Sequence, residues 1–447
     1  MKLRIILLLH FLILSLFNLQ SQCGLDAGVI EISSQFEVNQ FANEFGNCDS
    51  LFHTTIVFNE SQTTLDPIIS LASFHQVKWI KGGFRLFDLY HLENLEGLEN
   101  IEYIGEELSL INIPKLETID YFDNLDTVGL LKIWELPLIK SIDTFNELKQ
   151  ASFIEIRRMD SLNSLNIFED LEYCDAFLIS QCWEIESIPK LEFEVKHVIQ
   201  ISNSGLISLD CFNEIEFFPE GTVEITNNPN LVEINSFENL KNVENLRLAL
   251  NFELDSDKVN GFQNLDTIYG QLRIQKNRQI DHLNFLSSVR YIGENVLISD
   301  NDKLTTLDPL FGAGYEIHDE LKVWENPNLV DCDALCYHIS VGRPIEVYEN
   351  SEQCTDLATL IEHCGSVGTN DIHETVSLYP NPVINDVISI DQEKDLEYSL
   401  YDQVGKLVAQ GKTKNQSISL TNIQSGQYFM ELFLKDRKRS LQKIIKL

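Results

Sequence analysis

Ten histidines, nine cysteines and 69 acidic residues are the groups with which this 447-residue chain could do chemistry. A zinc hydrolase needs His-Glu-x-x-His on one helix face, a serine hydrolase needs a Gly-x-Ser-x-Gly elbow, and a nucleotide site needs Gly-x-x-x-x-Gly-Lys-Ser/Thr. None of these is present. Asp300-Asn-Asp302 has the first ligands of a calcium loop without the rest and reads as a polar turn. Gly312-Ala-Gly314 lacks the third glycine of a dinucleotide loop. His53, His75, His91, His197, His282 and His318 share no common position in the repeat described below, so they read as solvated or capping residues. The expectation is a protein without catalytic activity, cofactor or metal. Lys and Arg number 33, for a net charge of −36, and so acidic a chain repels nucleic acid.

The cysteines suit an exported chain. Cys23 and Cys48 stand together near the start; Cys332, Cys336, Cys354 and Cys364 cluster later, without the paired short spacings of a zinc site. Both groups read as disulfide staples, and the second allows three connectivities. Cys174, Cys182 and Cys211, an odd set, read as small core residues.

The elements that carry these residues follow from a repeat. The segment from Leu108 to Leu125 matches that from Val223 to Leu240, with apolar residues at offsets −2, 0, +6, +9, +12 and +15 from an anchor. The anchors are Leu86, Leu110, Ile133, Ile156, Ile179, Ile201, Ile225, Leu248, Ile274, Ile298 and Val323, 22 to 26 residues apart, with a looser copy at Phe58. Period two at the anchor is a short strand with one buried face; the later steps of three are a coil returning across the convex side. About six buried side chains at ~2 kcal/mol each cannot offset the ordering of ~24 residues at ~1–2 kcal/mol each. The turns must therefore stack, one parallel strand per turn. The fold class is mostly β: a solenoid with one parallel sheet, followed by a small antiparallel sandwich.

These motifs, with Asn-Pro-x-Leu-x-x-Ile after the strand and Tyr-Ile-Gly-Glu before the next at 103–106 and 291–294, resemble leucine-rich repeats of the receptor L-domain type over 51–331. Pro114, Pro137 and Pro189 sit where the commoner motif has Asn. The resemblance implies an N-terminal cap at 22–50, in which Phe36, Val38, Phe41 and Phe45 line an amphipathic helix, and a cysteine-containing cap at 332–365.

Residues beside each anchor should form the open face of the sheet. Those 24 positions hold six basic and two acidic residues, whereas residues 22–370 hold 21 basic and 59 acidic. Phe87, Ile111, Trp134 and Arg157 fall on neighbouring strands, with Arg247, Arg273 and Trp324 further along. This is the expected face for an extracellular protein or glycan partner, with Trp134 as anchor. The competing explanation is that strand propensity alone placed aromatics there and kept acids away.

The ends of the chain give an address. Lys2 and Arg4 precede an apolar run from Ile5 to Phe17, read as a signal peptide over 1–21. An uncleaved anchor and lipid attachment at Cys23 are the alternatives. After a linker at 366–375 come Tyr379-Pro380-Asn381-Pro382, Gly405, Gly426-x-Tyr428-Phe429 and Lys443-Ile-Ile-Lys446, among strand-like runs at 387–390, 398–401, 407–409, 418–420, 428–434 and 441–447. Residues 376–447 resemble the type A C-terminal sorting domain of the type IX secretion system. That resemblance implies a secreted or surface protein handled by the secretion machinery and by a sortase-like peptidase, with no transmembrane span in the mature chain. Recognition is the expected activity; a structural or adhesive surface component, or less favourably a glycan-processing enzyme, is the alternative.

Overall fold

The computed structural model describes residues 28–367 and 378–446, apart from short stretches at 53, 309, 311–315, 318, 341, 352–353, 384–385, 391–395, 403–406, 415 and 434–438. The signal peptide, Cys23, Gly312-Ala-Gly314 and Gly405 lie outside these residues.

The twelve anchors lie in one unbroken parallel register, from Phe58 beside Leu86 to Ile298 beside Val323. The ladder is longer than the repeat by one strand at each end. Val29–Ile32 places Ile32 beside Phe58, and Ile345–Tyr348 places Val347 beside Val323. Both segments sit within the expected caps, so each cap continues the sheet before closing it. Fourteen strands at ~4.8 Å span about 60 Å. One core runs from Ile32 to Cys364. On its convex side phenylalanines stack turn upon turn, Phe122 on Phe145 at 5.5 Å and Phe237 between Phe212 and Phe262 at 5.6 and 5.5 Å.

Each strand ends in a corner whose geometry the sequence does not advertise. Two residues after the anchor, φ is +53° to +60° in twelve successive turns, from Asp88 to Glu349, and none of the twelve residues is glycine. The left-handed kink turns the chain while keeping its amide in the ladder: Asp88 N–H donates to Ile111 O at 3.1 Å, and Leu250 N–H to Gln275 O at 2.9 Å. The next residue points inward. In the first half of the solenoid it is Leu89, Ile113, Leu136, Met159 or Cys182; from Asn228 onward it is asparagine in six turns, Asn228, Asn251, Asn277, Asn301, Asn326 and Asn350. Each Asn Oδ1 accepts the backbone N–H of the rung before it at 3.0–3.1 Å, as Asn301 does from Asn277. Each Nδ2 donates to an anchor carbonyl, as Asn277 does to Leu248 at 2.9 Å. The asparagine slot thus lies one residue before Pro114 and Pro137, where Ile113 and Leu136 fill it. These prolines share their own position with Pro229 and Pro327.

The first long turn, from Phe58 to Leu86, is held by a buried acid. Glu60 accepts from Ile68 N–H at 2.7 Å and Tyr90 N–H at 2.8 Å, and His91 Nδ1 lies 3.0 Å away. The first open end is covered by helix α1 (Gln35–Phe45), N-capped by Ser34, with Phe41 stacked on Phe74 at 4.1 Å. Val38 and Phe41 are buried as expected, but Phe36 faces solvent because it lies on the helix's outer side. Cys48 is disulfide-bonded. At the far end helices α2 (Asp333–Ser340) and α3 (Leu357–Val367) flank the last strand, stapled by Cys332–Cys354 and Cys336–Cys364. That selects one of the three connectivities, and α3 runs two residues into the segment expected to be linker.

The C-terminal segment is two small antiparallel sheets around a separate core that includes Ile388, Leu400, Ile418, Met430 and Ile444. All six expected strands are present, joined by a short one at Leu378–Tyr379.

Two outcomes follow. Asn277→Ala should cost about 2–4 kcal/mol, because it strands the Asn251 amide and the Leu248 carbonyl inside the core; a denaturation midpoint reads it, with Gln275→Ala on the open face as control. Cys174, Cys182 and Cys211 are free and buried, and burial raises all three thiols, Cys182 to about 12. Peptide mass spectrometry should find them unlabelled by iodoacetamide at neutral pH in the native protein and labelled after denaturation.

Candidate recognition face

Strand register places Phe87, Ile111, Trp134 and Arg157 side by side on adjacent strands. Lys132 Nζ lies 5.6 Å from the centre of the Trp134 ring, and the Arg157 guanidinium 5.8 Å from it. The indole N–H is enclosed and has no acceptor. Arg157 Nε donates to Gln181 Oε1 at 3.2 Å. Arg247 and Arg273 are cross-strand neighbours; counted from Trp134, Arg247 is five strands further on, about 24 Å, and Trp324 eight strands, about 38 Å. The seven candidate residues therefore make one tight group of four and two remote groups. Trp324 stacks on Tyr348 of the added last strand at 5.1 Å, with Lys322 5.9 Å from its ring centre.

The face as a whole is less open than expected. Ser109, Ser202, Thr226, Ala249 and Ser299 are buried, because small side chains sink between larger neighbours. Its basic character is also weaker than a residue count suggests. Glu107, three residues before an anchor and outside that count, is only 7% exposed. It bridges Arg85 and Lys132, each at 2.8 Å, and accepts from Ser109 Oγ at 2.5 Å. Burial raises the Glu107 carboxyl, but Lys132, Ser109 and Arg85 together outweigh it and hold the group below the usual carboxylate range. Arg247 pairs with Glu224 at 2.9 Å, and Lys322 with Glu320 and Glu346 at 3.0 and 3.3 Å. Among the described residues, Arg157 and Arg273 are the face arginines without an ion pair; Arg273 is bound to Gln271 Oε1 at 2.7 and 3.1 Å. Glu155, paired across strands with Lys132, is pushed up by burial against the opposing pull of Arg157 and Lys132.

Sequence reasoning missed Glu107 and Glu60 because an acid read in one dimension passes for solvated surface. Among the described residues no three His, Cys, Asp or Glu side chains converge to hold a metal. Asn301, the centre of the suspected calcium loop, is a buried rung of the asparagine ladder.

At the other end of the chain, Lys446 buries its ammonium against Asp386 at 2.7 Å and the carbonyls of Leu420 and Ile423. Asn381 Oδ1 accepts from Ile445 N–H at 2.9 Å. These two motif residues tie the last strand of the small domain to the loops at Asn381, Asp386 and Leu420 to Ile423. Both Tyr379-Pro380 and Asn381-Pro382 bonds are cis, Tyr379 is exposed, and Gly426 pairs with Lys446 while Lys443 pairs with Phe429. Residues 377–447 match the family model of the secretion system C-terminal sorting domain. This sorting domain points to export by the type IX secretion system and to a secreted or cell-surface protein. No curated protein matches the chain. No helix among the described residues is long and apolar enough to cross a membrane.

Because the folded Glu107 pKa is depressed, its contribution to stability is present above the unfolded value, near 4.3, and is lost as pH falls through the folded value. Wild type should therefore exceed Glu107→Gln in stability at neutral pH by a margin that shrinks below about pH 4, read from denaturant midpoints across pH.

Proposed function

We propose that this is a non-catalytic recognition protein, a leucine-rich repeat module of receptor L-domain type, carried through the type IX machinery behind a signal peptide at 1–21. A sortase-like peptidase would cut within 366–375 and leave the solenoid on, or released from, the cell surface. The repeat family is supported by the strand pattern Leu-x-Leu/Ile-x-x-Asn/Cys, whose last position is filled by Cys182 and the six asparagines. The open sheet face then receives an extracellular protein or glycan at Phe87, Ile111, Trp134 and Arg157. The observation that carries this reading is their single row, with an unpaired guanidinium beside an indole, on a body of otherwise dense negative charge. Such a row combines apolar contact area with a directional donor, as binding hot spots do.

A second reading, a surface component without a discrete ligand, draws support from the pairing of Arg85, Lys132, Arg247 and Lys322 with carboxylates of the protein itself. The two readings separate in one experiment. Residues 22–447 and the double variant Trp134→Ala/Arg157→Ala are applied to an array of surface proteins and glycans, with melting temperature as the folding control. Recognition requires saturable binding by wild type that falls at least about tenfold in the variant at unchanged melting temperature. Equal binding by both proteins would remove the face from consideration.

A further inference from the structure

A second opening lies off the sheet face, on the rim where the convex coil re-enters the sheet. It is a cleft of about 880 Å³ spanning the turns between Trp79 and Lys149, a volume within the range of small-ligand sites. One wall is aromatic. Trp79 and Tyr103 stack at 5.2 Å on adjacent strands, and the indole is 44% exposed yet fixed by donation of Nε1–H to Glu102 at 3.2 Å. The rest of the lining is rich in acceptors. Asp123, Asp143, Asn146 and Glu147 contribute carboxylate and amide oxygens. Asn146 Oδ1 is shielded from solvent and has no donor, so the accessible acceptors are the carboxylates.

We propose that this cleft binds a neutral saccharide chain. An exposed indole beside dispersed acceptors suits a sugar, whose pyranose face is apolar and whose edge is lined with hydroxyl donors. The cations at the cleft are already committed: Lys149 pairs with Asp126 at 2.6 Å, and Lys78, behind the aromatic wall, with Glu102 at 2.7 Å. An acidic polysaccharide would therefore meet net repulsion. The carboxylates do not converge on a point where a metal could sit, so they are spaced for an extended ligand with many donors. A lysine- or arginine-rich peptide is the competing occupant, and it differs by depending on salt.

The inference is independent of the sheet-face reading, and the test separates the two. The full chain is run through native gels containing a neutral β-glucan, mannan or xylan, an alginate, or a lysine-rich peptide conjugate. The variants are Trp79→Ala, Trp79→Phe, Asp143→Asn/Glu147→Gln and Trp134→Ala/Arg157→Ala. The expected result is retardation by at least one neutral polysaccharide, insensitive to salt. Apparent affinity should fall at least about tenfold in Trp79→Ala and in the carboxylate variant, and be largely retained in Trp79→Phe and in the sheet-face variant. If Trp79→Ala loses its native circular dichroism, the carboxylate variant decides alone. The cleft is overturned by no retardation in any neutral gel, by retardation that survives these changes, or by salt-sensitive retardation confined to the peptide conjugate. Loss in the sheet-face variant only would also sink the cleft while leaving the sheet-face reading standing.

Discussion

Every turn of this solenoid must leave the sheet sharply without orphaning the backbone groups at the bend. That constraint governs the rest of the molecule, since a corner that opened its hydrogen bonds would admit water to a core only a few side chains thick. The left-handed residue two places after each anchor meets it by rotating the chain while its N–H stays bonded to the neighbouring strand. With the corner fixed, the following side chain is directed inward and the coil can return in steps of about three residues, as Leu116, Ile119, Phe122 and Leu125 do. The uniform register of anchors from Ile32 to Val347 is the cumulative result.

What could be read from the chain was what repeats. Anchor positions depend on burial alone, so hydrophobic spacing finds them, and the alternating runs of the sorting domain betray its strands for the same reason. The corner was invisible because Asp88, Arg158, Leu250 and Lys276 carry no glycine signature. The terminal strands were hidden because Val29–Ile32 and Ile345–Tyr348 stand inside segments whose cysteines suggested caps. The row of four face residues follows directly from anchor numbering, but the partners of its cations do not. Glu107 reaches Arg85 and Lys132 only after neighbouring turns are laid beside it.

Charge is consequently distributed in a finer pattern than a net value conveys. Lysines on the rim reach carboxylates of an adjacent turn, as Lys78 does Glu102, Lys149 does Asp126 and Lys190 does Glu214. Each such exposed pair contributes little by itself, and with acids far outnumbering bases it is the two sheet-face arginines without an ion pair that stand out among the described residues.

The asparagine ladder has a direction. Each rung donates its backbone N–H toward the C-terminal neighbour, and the series closes at Asn350, whose amide reaches the carbonyl of Cys354 inside the disulfide-stapled cap. A pull transmitted through the sorting domain meets this end first, where covalent bridges and the polar zipper resist together. The turns whose inward corner residue is apolar lie toward the other end, where the buried Glu60 and the Cys48 disulfide serve in its place.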